Sequence, residues 1–204
     1  MISGRTRVLV VSLLLLCNTL VANAQAQEQP ARADEWGIDQ LMQELAGTER
    51  ASARFVEQRF LKVLESPLEL TGRLVYRAPD RLEKHTLTPK PESMTIEGNR
   101  LVIESAASNR RRVVGLQDYP VLWGFIESLR ATLGGDLQTL ERFYRVELDG
   151  RPGAWRLSLA PRDRQMSDFI RLITITGAGG WISKVEVHET HGDRSVMRIY
   201  GDTP

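Results

Sequence analysis

The side chains here with the widest chemical repertoire are His85, His188 and His191, the run Gly177-Ala178-Gly179-Gly180, and the triplet Arg110-Arg111-Arg112. Imidazoles brought together can hold zinc. His188 and His191 are separated by two residues, which on a strand sends them to opposite faces. Gly192-Asp193 makes His191 a turn residue, and His85 is remote in sequence, so no metal site is expected. The glycine run lacks the Lys-Ser/Thr pair of a phosphate loop and has strand patterns on both sides, so it predicts a hairpin turn. No Gly-x-Ser-x-Gly nucleophile elbow occurs, and the acids fall at spacings of solvated faces. The expectation is a protein that is not an enzyme and uses no cofactor. The arginine triplet reads as a solvated strand end, with contact to lipid phosphates or an acidic partner as the alternative.

The N-terminus bounds the compartment. Arg5 and Arg7 form a basic region, Val8 to Leu16 is almost wholly apolar, and Ala22-Asn23-Ala24 is a small-x-small cleavage pattern. Residues 1–24 therefore read as a cleaved signal peptide, with the mature chain starting at Gln25 in a bacterial periplasm. The apolar run is short for a span, which needs about 20 residues. Cys17 is the only cysteine and lies within that run, so the mature protein must rest on its hydrophobic core without disulfides. The formal charge of +1 becomes −1 once Arg5 and Arg7 are removed, which leaves no basic field for nucleic acid. The mature length suits one domain with a sizeable core.

The elements that position these residues follow from periodicity. Gln25 to Ala33 is a polar linker. Trp36, Ile38, Leu41, Met42 and Leu45 give a helical stripe over Asp34 to Ala46, stopped by Gly47. Period-2 segments follow at 52–64, 68–77, 81–87, 93–97, 100–104 and 110–116. In the first, Ala53, Phe55, Val56 and Phe60 keep no single face, so its register stays open. From Pro120 to Leu133, apolar residues at 122, 125, 126, 129 and 133 predict an amphipathic helix ended by Gly134-Gly135. Asp136 to Phe143 is a second short helix. Strand patterns return at 144–148, 155–160, 169–176, 181–189 and 195–200. About ten strands in hairpin order predict an antiparallel, mainly β (α+β) fold. The form is a strongly curved sheet or incomplete barrel, its concave side covered by helices.

In order and spacing the chain resembles the outer-membrane lipoprotein carrier family, the LolA-type periplasmic chaperones. The resemblance rests on Phe55-x-x-Gln58, then Gly72-x-Leu74-x-Tyr76-Arg77-x-Pro79-x-x-Leu82, then Ile96-Glu97-Gly98-Asn99-Arg100-Leu101, and Leu133-Gly134-Gly135-Asp136-Leu137. It implies an incomplete β-barrel with a helical lid over 34–204. An apolar cavity would hold acyl chains received from an inner-membrane exporter and passed to an outer-membrane acceptor. The family places an arginine directly before the proline, where it bonds the lid. Here that position is Ala78, so Arg77 and Arg81 become the lid-bonding candidates, and the chain looks like a divergent, dedicated relative.

The resemblance selects a candidate cavity lining. On the sheet side it comprises Leu74, Tyr76, Met94, Ile96, Leu101, Ile103, Trp155 and Leu157. On the helix side it comprises Leu122, Phe125, Ile126, Leu129 and Leu133. Trp123 falls off the helical stripe and is expected at a second surface or the cavity mouth. The function expected is a monomeric carrier of lipoprotein or lipid acyl chains. The alternatives are a dedicated carrier of a polyene- or terpenoid-type lipid, and a sensory or interaction module of the same fold.

Overall fold

The computed structural model describes residues 36–105 and 108–201. The expected signal peptide, linker and helix start at Asp34 lie outside the described residues. Helix α1 spans Ile38–Ala46 and buries Leu41, Met42 and Leu45, the apolar stripe of the sequence. Then come β1 (Arg50–Phe60), β2 (Leu68–Arg77), β3 (Arg81–Thr88), β4 (Glu92–Glu97), β5 (Arg100–Ser105) and β6 (Arg110–Gly115). A 3-10 turn at Leu116–Asp118 leads into α2 (Pro120–Gly134), and α3 (Leu137–Phe143) follows. The chain closes with β7 (Tyr144–Arg151), β8 (Ala154–Pro161), α4 (Arg164–Ser167), β9 (Ile170–Ala178), β10 (Trp181–Glu189) and β11 (Arg194–Gly201).

Helix boundaries have local causes. Pro at the first position suits the start of α2, because that N–H has no helical partner. Gly135 ends α2 in the left-handed region at φ 67°, and a side chain there would also collide with the Met42 carbonyl. Asp136 caps α3 by accepting from Thr139 N at 2.9 Å. The short α4, between the expected strands at 155–160 and 169–176, was not expected; Asp163 caps its start by accepting from Gln165 N at 3.0 Å.

Eleven strands form one antiparallel sheet in the order β6-β5-β4-β3-β2-β1-β11-β10-β9-β8-β7. The chain winds outward from β1 to one edge, crosses by α2 and α3 to the other edge, and winds back to β11 beside β1. β6 and β7 are left as edges, so the curved sheet stays unclosed. This is the half-open architecture expected from the hairpin order.

Directly paired residues of an antiparallel ladder share a face, so the register can be followed across the whole sheet. Leu157 pairs with Ile175, Ile175 with Val185, Val185 with Met197, Met197 with Glu57, and Glu57 with Leu70. Phe55 pairs with Gly72, Leu74 with Lys84, Lys84 with Met94, and Met94 with Ile103. All of these side chains line the face that carries the helices. The open register of β1 is thereby resolved. Ala53, Phe55 and Glu57 are its buried face, and a carboxylate in that row had broken the apolar pattern. Gly72 is needed beside it, because a Cβ there would lie 2.8 Å from the Phe55 ring and would overlap the His85 backbone.

Two packed clusters cover this face unequally. The larger joins α1, α3 and Tyr144 to Trp155, Leu157, Leu159, Ile173 and Ile175 of the β7–β10 half. The smaller joins Ile126 of α2 to Leu101, Val114 and Leu116 at the β5–β6 edge. Phe125 touches both, so α2 straddles the concave face between them.

Candidate functional site

Between the clusters the concave face is apolar and only half covered. Leu70, Leu74, Leu82, Met197 and Ile199 point into it, are half-buried, and belong to neither packed cluster. From above, Leu129 and Leu133 of α2 are also half-buried and in neither cluster. Met94, Ile96 and Ile103, with Leu122 and Phe125, lean on the smaller cluster while staying partly exposed. Tyr76, Leu101 and Ile126 are fully buried at its margin. Trp155 and Leu157 are different. They are 2% and 0% exposed within the larger core, and the Trp155 indole donates to Gly179 O at 2.8 Å. They are packing residues beside the trough rather than its free surface.

The faces of α2 are not those the apolar stripe implied. Its most buried side is Gly124, Ser128, Ala131 and Thr132, small residues that let α2 lie close against its helical neighbours. Ser128 Oγ donates to Phe125 O at 2.6 Å and lies 3.4 Å from the Tyr144 hydroxyl. Burial raises the pKa of that phenol, and Ser128 offsets only part of the rise. The Leu122/Phe125/Leu129/Leu133 stripe is the less covered side. Trp123 meets Phe143 of α3 edge-on, with ring centroids 5.4 Å apart.

What holds α2 down is a residue the sequence reading did not select. Arg130 Nη2 donates to Asp80 O at 3.0 Å and to Gly98 O at 2.6 Å, and Nη1 meets Glu127 Oε1 at 2.8 Å. The side chain is 12% exposed. Those carbonyls belong to the β2–β3 and β4–β5 turns, which Asp80 also joins by accepting from Gly98 N at 3.0 Å. The sequence had offered Arg77 and Arg81 for this role. They pair with each other in register on the convex face, because Tyr76 occupies the concave side and alternation sends its neighbour outward. Arg81 gives its guanidinium to Glu83 at 2.7 Å and Glu97 at 2.8 Å, both also convex. Helix and sheet are thus bonded by an arginine from the helix to the turns.

One polar island interrupts the trough. Glu57 is 3% exposed. It accepts from Arg59 Nε at 2.8 Å and from Ser195 Oγ at 3.1 Å, and it pairs closely with Lys84 Nζ. Lys84 also sits 4.9 Å from the centroid of the Phe55 ring. Burial alone would raise the Glu57 pKa. The Arg59 hydrogen bond and the Lys84 charge outweigh it, and the carboxyl is held below the usual range.

The other chemical candidates are dispersed. His85 meets Glu83 at 2.9 Å and His188 meets Glu186 at 3.7 Å, on convex strands separated by β2, β1 and β11. Among the described residues no group of three or more metal-ligating side chains converges. Within the glycine run, Gly177 and Ala178 end β9 and Gly179-Gly180 turn the chain into β10. Of the arginine triplet, Arg111 pairs with Glu104 at 3.0 Å on the exposed edge strand. A cleft of about 310 Å³ lies between Trp36, Ile38, Val146 and Leu148. Another of about 480 Å³ is lined by Phe60, Arg171, His188 and Arg194. Neither lies under α2. No helix of the described residues is long and apolar enough to cross a membrane.

The family model described as outer membrane lipoprotein carrier protein LolA-like matches residues 30–202. Among solved structures, the LolA superfamily protein NE2245 from Nitrosomonas europaea superposes with a TM-score of 0.44 at 7% identity, over 83% of this chain and 96% of that one. MucB in its complex with MucA, from Pseudomonas aeruginosa, gives 0.43 at 16% identity, over 82% of this chain and 58% of that one. A putative outer membrane lipoprotein-sorting protein domain from Vibrio parahaemolyticus gives 0.40 at 8%, over 79% and 88%. No curated protein matches the chain. With a family model matched over most of its length, the chain belongs to the outer membrane lipoprotein carrier protein LolA-like family.

Proposed function

We propose that this protein is a periplasmic carrier that shelters acyl chains between its concave face and α2, and moves them from the inner to the outer membrane without transforming them. The carrying observation is that apolar residues on the helix-bearing face of the sheet, Leu74, Met94 and Ile103, and apolar residues of α2, Leu129 and Leu133, are only half-buried. A packed core would have covered them. Each methylene transferred there from water is worth about 0.8 kcal/mol. About ten methylenes then supply roughly 8 kcal/mol, equivalent to micromolar binding. The cargo enters by lifting α2, whose bonds to the sheet turns run through Arg130. An inner-membrane exporter and an outer-membrane acceptor are the partners this reading requires. Trp155 and Leu157 act as the rigid wall rather than as contacts.

Leu129→Glu tests the reading. A carboxylate facing the trough replaces an apolar contact worth about 2 kcal/mol and adds a desolvation cost, so lipid affinity should fall at least about thirtyfold while the fold persists. A folded variant that binds a long-chain lipid as wild type does would refute the placement of the ligand under α2.

A further inference from the structure

We propose that the Glu57–Arg59–Lys84–Ser195 island is a headgroup site, selecting amphiphiles whose polar end is an anionic oxygen group, carboxylate or phosphate. The inference rests on the carrier reading and specifies the class of its cargo. Glu57 is largely satisfied: one oxygen takes Arg59 and Ser195, the other takes Lys84. The cations are not. An ammonium has three donors and a guanidinium five, while Lys84 gives one to Glu57 and Arg59 bonds Glu57 through Nε. Their side chains are 19% and 41% exposed, on the concave side. The island therefore presents unused donors and one positive charge in excess to an otherwise apolar trough. A neutral head can accept from those donors but leaves the excess charge unpaired; an anion accepts from them and neutralises it.

Its position fits an amphiphile laid lengthwise. Lys84 is paired with Leu74 and Met94, four residues along from Asp80, hence about 13 Å from the turns that Arg130 bonds. A head at Lys84 and Arg59 directs its chain over Leu74, Met94 and Ile96 toward the underside of α2. Packing alone gives no reason for a charge cluster here, since leucine or methionine would fill the same row and avoid burying a carboxylate.

The test compares palmitate with its methyl ester, which keeps the chain and removes the charge, in titrations of the full mature protein. Inorganic phosphate is titrated in parallel. Palmitate should bind about tenfold more tightly than the ester, and phosphate alone should not bind in the same range. Lys84→Met should reduce this preference toward unity. Glu57→Gln, an isosteric change that unmasks both cations, should increase it. Opposite movement of the variants is the signature, since a purely structural role would weaken both ligands together in both. If the ester binds as tightly as the acid in the wild type, the headgroup site is wrong and the carrier reading stands. If Glu57→Gln fails to raise the preference, the headgroup site is likewise wrong. If neither amphiphile binds, the carrier reading fails and this inference with it. Phosphate binding as tight as palmitate would mean a soluble-anion site and would also overturn it.

Discussion

Replacing Arg130 with methionine should loosen α2 while leaving the rest of the sheet intact. The substitution keeps the apolar stem and removes the guanidinium that bonds Asp80 O and Gly98 O. Hydrogen bonds to a charged group are worth about 1.5–3 kcal/mol each. Water reaches both carbonyls once the helix lifts, so the net loss is about 2–3 kcal/mol rather than the full sum. The pairing with Glu127 does not hold the helix to the sheet, since both partners lie on α2, three residues apart. At 1.4 kcal/mol per tenfold, the lifted population should grow about 30- to 150-fold. Amide hydrogen exchange reads this directly. Amides of α2 from Val121 to Gly134 should exchange faster by about that factor, and bound lipid should leave faster in step. Amides of β8 and β9, which carry the larger core, should keep their wild-type protection. Unchanged exchange in α2 would refute the claim that Arg130 holds the helix down. Uniform acceleration throughout would refute the claim that α2 moves as a separate unit.

The remaining expectations concern the polar island and the sheet. Glu57, Glu83 and Glu186 all have carboxyls held below their ordinary pKa, for Glu57 despite burial and for the others chiefly by hydrogen bonds from Arg81 and Lys184. Such groups contribute stability that is present above the unfolded carboxylate pKa and lost as pH falls through the lower folded value. Urea unfolding should therefore show stability falling between about pH 5 and pH 2, with a shallower fall in Glu57→Gln; an unchanged slope in that variant would contradict the assignment. Gly72→Ala should cost about 2–4 kcal/mol in thermal unfolding, because the new methyl meets the His85 backbone as well as the Phe55 ring. A loss under about 1 kcal/mol would mean β2 can shift away from β1 and β3 without penalty.

The architecture was readable because alternation is local. Leu68, Leu70, Gly72, Leu74 and Tyr76 declare one face of β2 by spacing alone, and the Gly98-Asn99 and Gly177–Gly180 turns fix which strands are neighbours. The helix face was not readable. The burial of Gly124, Ser128, Ala131 and Thr132 depends on how closely α3 and α1 approach, and hydrophobicity ranks those residues last. The family-like arginine before the proline drew attention to Arg77 and Arg81, yet strand parity had already placed Arg77 on the convex side. Arg130 had no such signal, since its acceptors are backbone carbonyls of turns 50 and 32 positions away. The island was half visible. A carboxylate in the same-parity row as Ala53 and Phe55 is a local anomaly, but its partners Lys84 and Ser195 meet it only through the register of β1, β3 and β11.

Native mass spectrometry of the mature protein, released gently from the periplasm and followed by lipid extraction, tests the carrier account most directly. The account predicts a one-to-one complex with an acylated species that is lost in Leu129→Glu and dissociates faster in Arg130→Met. A bare polypeptide mass that stays bare when long-chain lipids and acylated peptides are supplied would contradict it.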